Sequence, residues 1–158
     1  MDKLTSELDH PMLIVTTAAD GELSGCLVGF HSQCSIDPPR WAVWISKVNH
    51  TYRIAQRATT LALHFPSADD RDLAELFGEE TGDAVDKFER CAWTAGRDGV
   101  PLLDRLPNRI IGRVRDHVDD GGDHQLFVVD LDDVQHGPEP LRALGFQAVR
   151  GFDPGHPA

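Results

Sequence analysis

The stretch Gly25 to Arg40, GCLVGFHSQCSIDPPR, concentrates side chains that can meet a ligand without performing covalent chemistry. Between Phe30 and Pro38 it leaves β periodicity and supplies Ser32, Gln33 and Ser35 beside backbone amides. Asp37-Pro38-Pro39 then stiffens the exit. Such a segment reads as a loop able to hold an anionic or amide-bearing ligand. The usual signals of covalent or phosphate chemistry are missing: the chain has no G-x-S-x-G elbow, no Walker loop and no G-x-G-x-x-G turn. Its eight histidines, at 10, 31, 50, 64, 117, 124, 136 and 156, form no H-x-x-x-H pair, so a metal site would have to be gathered by the fold alone. Paired acids such as Asp69-Asp70 and Glu79-Glu80 read as helix starts and solvated faces.

Composition narrows the class. At 158 residues, 41% hydrophobic and 26% charged, the chain has globular proportions and can bury a core without staples, as one domain over residues 1–158. A net charge of −11 argues against a nucleic-acid groove, which needs clustered Lys and Arg. No apolar run nears the roughly 20 residues of a membrane span, and the opening MDKLTSELDHPM lacks a signal-peptide layout, so a cytoplasmic location is expected. Cys26, Cys34 and Cys91 contain no C-x-x-C; Cys26 and Cys34 read as small core residues.

These groups must be positioned by strands. Met12 to Thr17 is β-rich, Asp20-Gly21 supplies a hairpin turn, and the chain returns from Leu23 to Phe30. Trp41 to Ser46 follows, with Trp41, Val43 and Ile45 on one face. Tyr52 to Ala58 reads as a short helix capped by Asn49 or Thr51. Leu61 to Phe65 is another strand, and Ser67 to Asp70 a capping box with Asp in place of Glu. It opens a helix with Leu73, Leu76 and Phe77 on one face that Gly78 is expected to stop; a second acidic helix runs from about Asp83 to Phe88. Cys91 to Ala95 is strand-like and precedes the turn Gly96 to Gly99. Ile110, Gly112, Val114 and Val118 alternate with Arg113, Arg115 and His117 in a half-exposed strand. The turn Asp119 to Gly122 joins it to a partner from His124 to Asp132. Strands joined by hairpins, with helices only between about 52 and 88, predict a mainly β protein, an antiparallel barrel with a few inserted α-helices.

Gly25 to Pro39 resembles the motif G-x-T-A-N-S-F-x-S-V-S-x-D-P-P of the flavin reductase family with an FMN-binding split β-barrel. The chain keeps Gly25, Ser35, Asp37, Pro38 and Pro39. It carries Leu27-Val28 at Thr-Ala, Gly29-Phe30-His31 at Asn-Ser-Phe, and Gln33-Cys34 at Ser-Val. Other segments are similar in the proper order: Met12 to Thr17 with Asp20-Gly21, Trp41 to Ser46 with Lys47 to Thr51, Lys87-Phe88, Val100 to Leu103, and Gly122-Asp123-His124 with Leu126 to Val128. The resemblance covers residues 10 to 145 and leaves a C-terminal extension.

It implies a split β-barrel homodimer that binds FMN or FAD near its interface and passes a hydride from NADH or NADPH to the flavin N5. The cofactor then carries the chemistry and the protein supplies binding and orientation. Val28, Gly29, Phe30, His31, Ser32, Gln33, Cys34 and Ser35 would address the isoalloxazine edge and ribityl chain. Lys47, His50 and Thr51 would meet the phosphate, His50-Thr51 being equally readable as a plain helix cap. His124 would contact the nicotinamide, or else is a histidine hydrogen-bonded at a turn. The resemblance also allows a monooxygenase partner that takes up the reduced flavin. Two alternatives stay open: a flavin-binding electron carrier without nicotinamide turnover, and a related oxidoreductase using deazaflavin or haem.

Overall fold

A computed structural model describes residues 2–79 and 86–152. Its ten strands are β1 (Leu13–Ala19), β2 (Glu22–Val28), β3 (His31–Ile36), β4 (Pro39–Ser46), β5 (Thr60–His64), β6 (Trp93–Ala95), β7 (Pro101–Leu103), β8 (Arg109–Val118), β9 (His124–Asp130) and β10 (Asp133–Gln135). The α-helices are α1 (Lys3–Glu7), α2 (His50–Ala55) and α3 (Arg71–Glu79).

The main sheet is antiparallel and runs β2-β1-β5-β8-β9-β4-β3, with β10 added against β8; β6 and β7 pair separately. Consecutive strands β2 and β3 therefore lie at opposite edges, yet only Gly29 and Phe30 separate them. Two residues cannot cross a flat sheet seven strands wide, because neighbouring strands are about 4.8 Å apart. The sheet must roll until its edges approach, which makes a barrel with a split between β2 and β3. The Trp44 amide donates to the Phe30 carbonyl at 2.9 Å, so the chain joins β4 as soon as it leaves β2.

The barrel interior is filled by Leu13, Val15, Cys26, Val43, Ile45, Leu61, Leu63, Ile110, Phe127 and Val129 among others, with Trp41 at the rim. α3 covers the other side of β1 and β2 through Leu73 and Phe77, which pack with Ile14, Phe88 and Leu103. The first hairpin turns as its sequence dictates: Asp20 and Gly21 both have positive φ, 52° and 79°. Asn49 caps α2 by accepting from the Thr51 amide, and the Ser67 to Asp70 capping box forms with both reciprocal bonds.

Several expectations are corrected. The run after Phe30 is not a loop but a strand, because β3 finds a full hairpin partner in β4, with a bulge between Gln33 and Ser35. As a consequence Cys34 is exposed on that edge strand, while Cys26 is buried as expected. Gly78 does not stop α3, which continues to Glu79; the side chain of Leu27 packs into the space left by its missing Cβ. Of the second acidic helix, residues 83–85 lie outside the described residues, and Lys87–Glu89 is a 3-10 turn. Strand β8 keeps its alternation only as far as Val114. An extra residue opposite Val128 and Val129 exchanges its faces, so His117 packs on Phe127 (ring centroids 4.9 Å apart) while Val118 is 42% exposed.

Candidate functional site

A cleft of about 670 Å³ opens at the split. One wall is the end of β2 and the crossing to β3: Cys26, Leu27, Val28, Gly29, Phe30 and His31. Trp44, Ser46 and Asn49 come from β4 and the turn after it, and His124 from the start of β9, where it pairs with Ser46. The opposite wall is the amino-terminal segment, through Thr5, Leu8, His10 and Met12, with Phe146, Phe77 and Gly78 behind it. The lining is mostly apolar with a few polar groups, the balance expected of a cofactor pocket.

Gly29 packs directly on the amino-terminal wall: a Cβ there would lie 3.2 Å from His10 Nε2 and 3.4 Å from Met12 Cε, so a larger residue would have to displace that wall.

His124 stands at the mouth. Its ring lies 4.9 Å from that of Phe30, tilted by 56°. Its Nδ1 is 2.8 Å from Asp123 Oδ1. A carboxylate can only accept, so Nδ1 carries the proton and Nε2 is left to meet a ligand. The same bond holds the Asp123 carboxyl below its ordinary range. Lys47 steadies the turn that carries both residues: its backbone amide donates to the Asp123 carbonyl at 2.9 Å, and its Nζ donates to Asp119 Oδ1 at 2.7 Å. Asp119 raises the Lys47 pKa, and Lys47 in turn lowers that of Asp119.

The residues singled out from sequence thus separate into three groups. Val28, Gly29, Phe30, His31 and His124 meet in the cleft. Ser32, Gln33, Cys34 and Ser35 do not: hairpin pairing carries them along the exposed edge, where Ser32 and Gln33 bond to local carbonyls. Lys47, His50 and Thr51 are not gathered into one site. Lys47 turns to Asp119, the Thr51 side chain is fully buried against Ser24 Oγ at 2.9 Å, and His50 Nδ1 lies 2.9 Å from the same oxygen.

His50 lines a smaller pocket of about 370 Å³ with Ser24, Gly25, Asp86, Lys87 and Phe88. Lys87 is buried there, donating to the carbonyls of Phe77 (2.9 Å) and Gly25 (3.3 Å). Sequence inspection gave Lys87 no role, although a lysine beside an aromatic residue in an otherwise acidic run was visible. His10, Met12, Trp44 and Phe146 were also missed, since they reach the cleft only through contacts distant in sequence.

The sequence matches the flavin reductase like domain over residues 5–154. The chain belongs to this family. No curated protein matches the sequence. Among solved structures, a candidate oxidoreductase from Sinorhizobium meliloti superimposes with a TM-score of 0.80 at 22% identity, covering 92% of this chain and 51% of that one. This chain thus spans about half the length of that relative. The FMN-binding protein of Thermus thermophilus gives 0.76 at 24% identity, covering 82% and 72%. The NADH:FAD oxidoreductase of Streptomyces globisporus gives 0.77 at 20% identity, covering 86% and 80%. These likenesses carry the split-barrel fold.

The flavin reductase-like cleft fits a flavin on its own terms. A flat tricyclic ring with a polar edge requires an apolar cavity open at one side, and the cleft lined by Met12, Leu27, Val28, Phe30 and Trp44 supplies one. The polar groups Ser46, Asn49 and His124 stand at its rim. Among the described residues no helix is long and apolar enough to cross a membrane.

Proposed function

We propose that the protein is an NAD(P)H-dependent flavin oxidoreductase that binds FMN or FAD in the cleft between β2 and the amino-terminal segment. The observation that carries this reading is the placement of His124 against Phe30 at the mouth of the cleft, in a chain of the flavin reductase-like family. A bound flavin supplies the redox chemistry by accepting a hydride at N5. Everything else falls to the chain. Val28, Gly29 and Trp44 line an apolar slot that keeps water from the ring. Ser46 and Asn49 meet polar edge atoms, and His124, fixed as the Nδ1–H tautomer by Asp123, offers Nε2 to the nicotinamide carboxamide. His50, with Ser24 and the buried cation of Lys87 beside it, is the candidate for the phosphate end.

We further propose a homodimer. Strand β3 is an edge strand, and it leaves Ile36 85% exposed while Phe30, at the cleft mouth, is 55% exposed. A second subunit on this edge would cover both. The Streptomyces globisporus relative has been seen with NAD and FAD fragments; a cytoplasmic setting, where nicotinamide nucleotides are supplied, and release of reduced flavin to a monooxygenase complete the proposal.

Titration with FMN and FAD by fluorescence, followed by NADH and NADPH oxidation with and without His124→Ala, tests the reading. Intact flavin affinity with lost turnover in the variant is expected; a protein that neither binds flavin nor accelerates oxidation overturns it. A second reading, a flavin carrier inert to nicotinamides, is favoured by the Phe30 ring, which covers part of the face His124 would present. Flavin binding without turnover in the unaltered protein selects it.

A further inference from the structure

The segment 2–12 is a wall of the cleft, and its attachments are lopsided. Its hydrogen bonds to the rest of the described chain run to 144–150: Met12 N–H to the Leu144 carbonyl, Phe146 N–H to the His10 carbonyl, the Gln147 side chain to the carbonyls of Ser6 and Leu8, and Arg150 to Ser6. A further bond runs from His31 Nε2 to the Pro11 carbonyl, 2.6 Å away, and ties this wall to the strand facing it.

His31 is committed at both ring nitrogens. A carbonyl only accepts, so Nε2 carries the proton. The Trp41 indole N–H donates to Nδ1 at 3.2 Å, so Nδ1 must be bare. The ring also stacks on Trp41, with centroids 6.0 Å apart, and meets the edge of Phe65. Trp41 belongs to β4, Phe65 follows β5, and Pro11 and His10 belong to the wall. The titratable group that acts on His31 through space is His10; no carboxylate among the described residues bonds or pairs with the ring.

We propose that His31 is a positioning residue of the flavin cleft: as a neutral imidazole, donating to Pro11 and accepting from Trp41, it clamps the segment 2–12 against β3 and β4. Burial, the largest effect, and His10 push the His31 pKa below the ordinary histidine value while the Pro11 bond raises it, so the ring is neutral at neutral pH and makes both bonds there. The family motif carries phenylalanine at this position, which can make neither bond, so the clamp belongs to this chain. The inference rests on the flavin reading only for what the cleft holds.

Hydrogen–deuterium exchange on the full chain at neutral pH tests the clamp alongside FMN affinity by fluorescence. His31→Phe should lower the protection of 2–12 roughly tenfold, and FMN affinity should fall with it. His31→Gln, which keeps an amide donor for Pro11 and an acceptor for Trp41, should restore both, a rescue that a merely space-filling ring would not produce. Protection in His31→Phe equal to the unaltered protein, or a loss in His31→Gln as large as in His31→Phe, overturns the proposal. If protection follows His31 but FMN does not bind, the clamp stands and the flavin reading falls; the reverse result removes the clamp alone.

Discussion

Nδ1 of His124 lies 2.8 Å from Oδ1 of the preceding residue, Asp123, so the carboxylate that opens strand β9 also fixes the tautomer of the histidine at the cleft mouth. Asp123→Asn can satisfy Nδ1 either by accepting from it or by donating to it, and so releases the choice of tautomer. Turnover with NADH or NADPH should fall by about 10-fold or more, as expected when an acid–base or orienting partner is lost, with the flavin dissociation constant nearly unchanged. Parallel steady-state kinetics and flavin titration check this; a parallel loss of flavin affinity would show that Asp123 holds the turn rather than the ring.

The two lysines near the site should behave oppositely. Lys47 forms a salt bridge to Asp119 at the surface, and such pairs are weakly coupled to stability and binding. Lys47→Ala should leave the flavin dissociation constant within about twofold, a result that would retire its assignment as a phosphate contact. Lys87→Met removes a buried donor from the carbonyls of Phe77 and Gly25, and an unpaired buried acceptor costs about 1–3 kcal/mol. Its melting temperature should drop by several degrees, read by thermal denaturation, and flavin affinity should fall with it.

At Gly29 the expected outcome is graded. Alanine would need His10 and Met12 to yield by a few tenths of an ångström, which flexible side-chain ends can do. Gly29→Ala should therefore bind FMN almost normally, whereas Gly29→Val, whose branched side chain must push the His10–Met12 wall aside, should bind it several-fold more weakly. Equal affinities for all three would place the flavin elsewhere than in this cleft.

How much of this was legible beforehand depended on whether a signal was local. The Asp20-Gly21 turn, the Asn49 cap, the Ser67 capping box and the alternation of Trp41, Val43 and Ile45 are short-range effects, and each appears where the residues predict it. The run Ser32 to Ser35 was misread because a polar edge strand lacks the apolar alternation by which strands are found; its hairpin partner, Pro39 to Ser46, decides its state. The bulge in β8 was equally invisible, since one inserted residue leaves no mark on the period until the partner strand is known. His124 could be singled out because its own motif carries it. His10, Trp44 and Phe146 could not, because only long-range contacts bring them together: closure of the sheet for Trp44, and the bonding of segment 2–12 to 144–150 for the other two.

His64 ties three strands together and should dominate the stability of the protein in mild acid. It is fully buried on β5; its Nδ1–H donates to the Ile14 carbonyl on β1 at 3.1 Å, and its Nε2 accepts the Leu103 amide on β7 at 3.1 Å. Burial, the largest effect, pushes its pKa down to about 3, against 6.5 for an ordinary histidine. Between those values the unfolded chain binds a proton that the folded one refuses. Stability from this group is therefore complete above pH 6.5 and is lost as pH falls toward 3, by up to about 1.4 kcal/mol per pH unit. Asp72, lowered to about 2 by Arg105, adds its own loss only in stronger acid, below the ordinary carboxylate range. Urea denaturation at several pH values should thus show a steep limb between about pH 6 and pH 4. His64→Gln should flatten that limb while lowering stability at neutral pH through imperfect replacement of the two bonds. His31 contributes to the same window, so the decisive quantity is the difference in slope between the unaltered protein and the His64 variant; identical slopes would mean that His64 is protonated in the folded state.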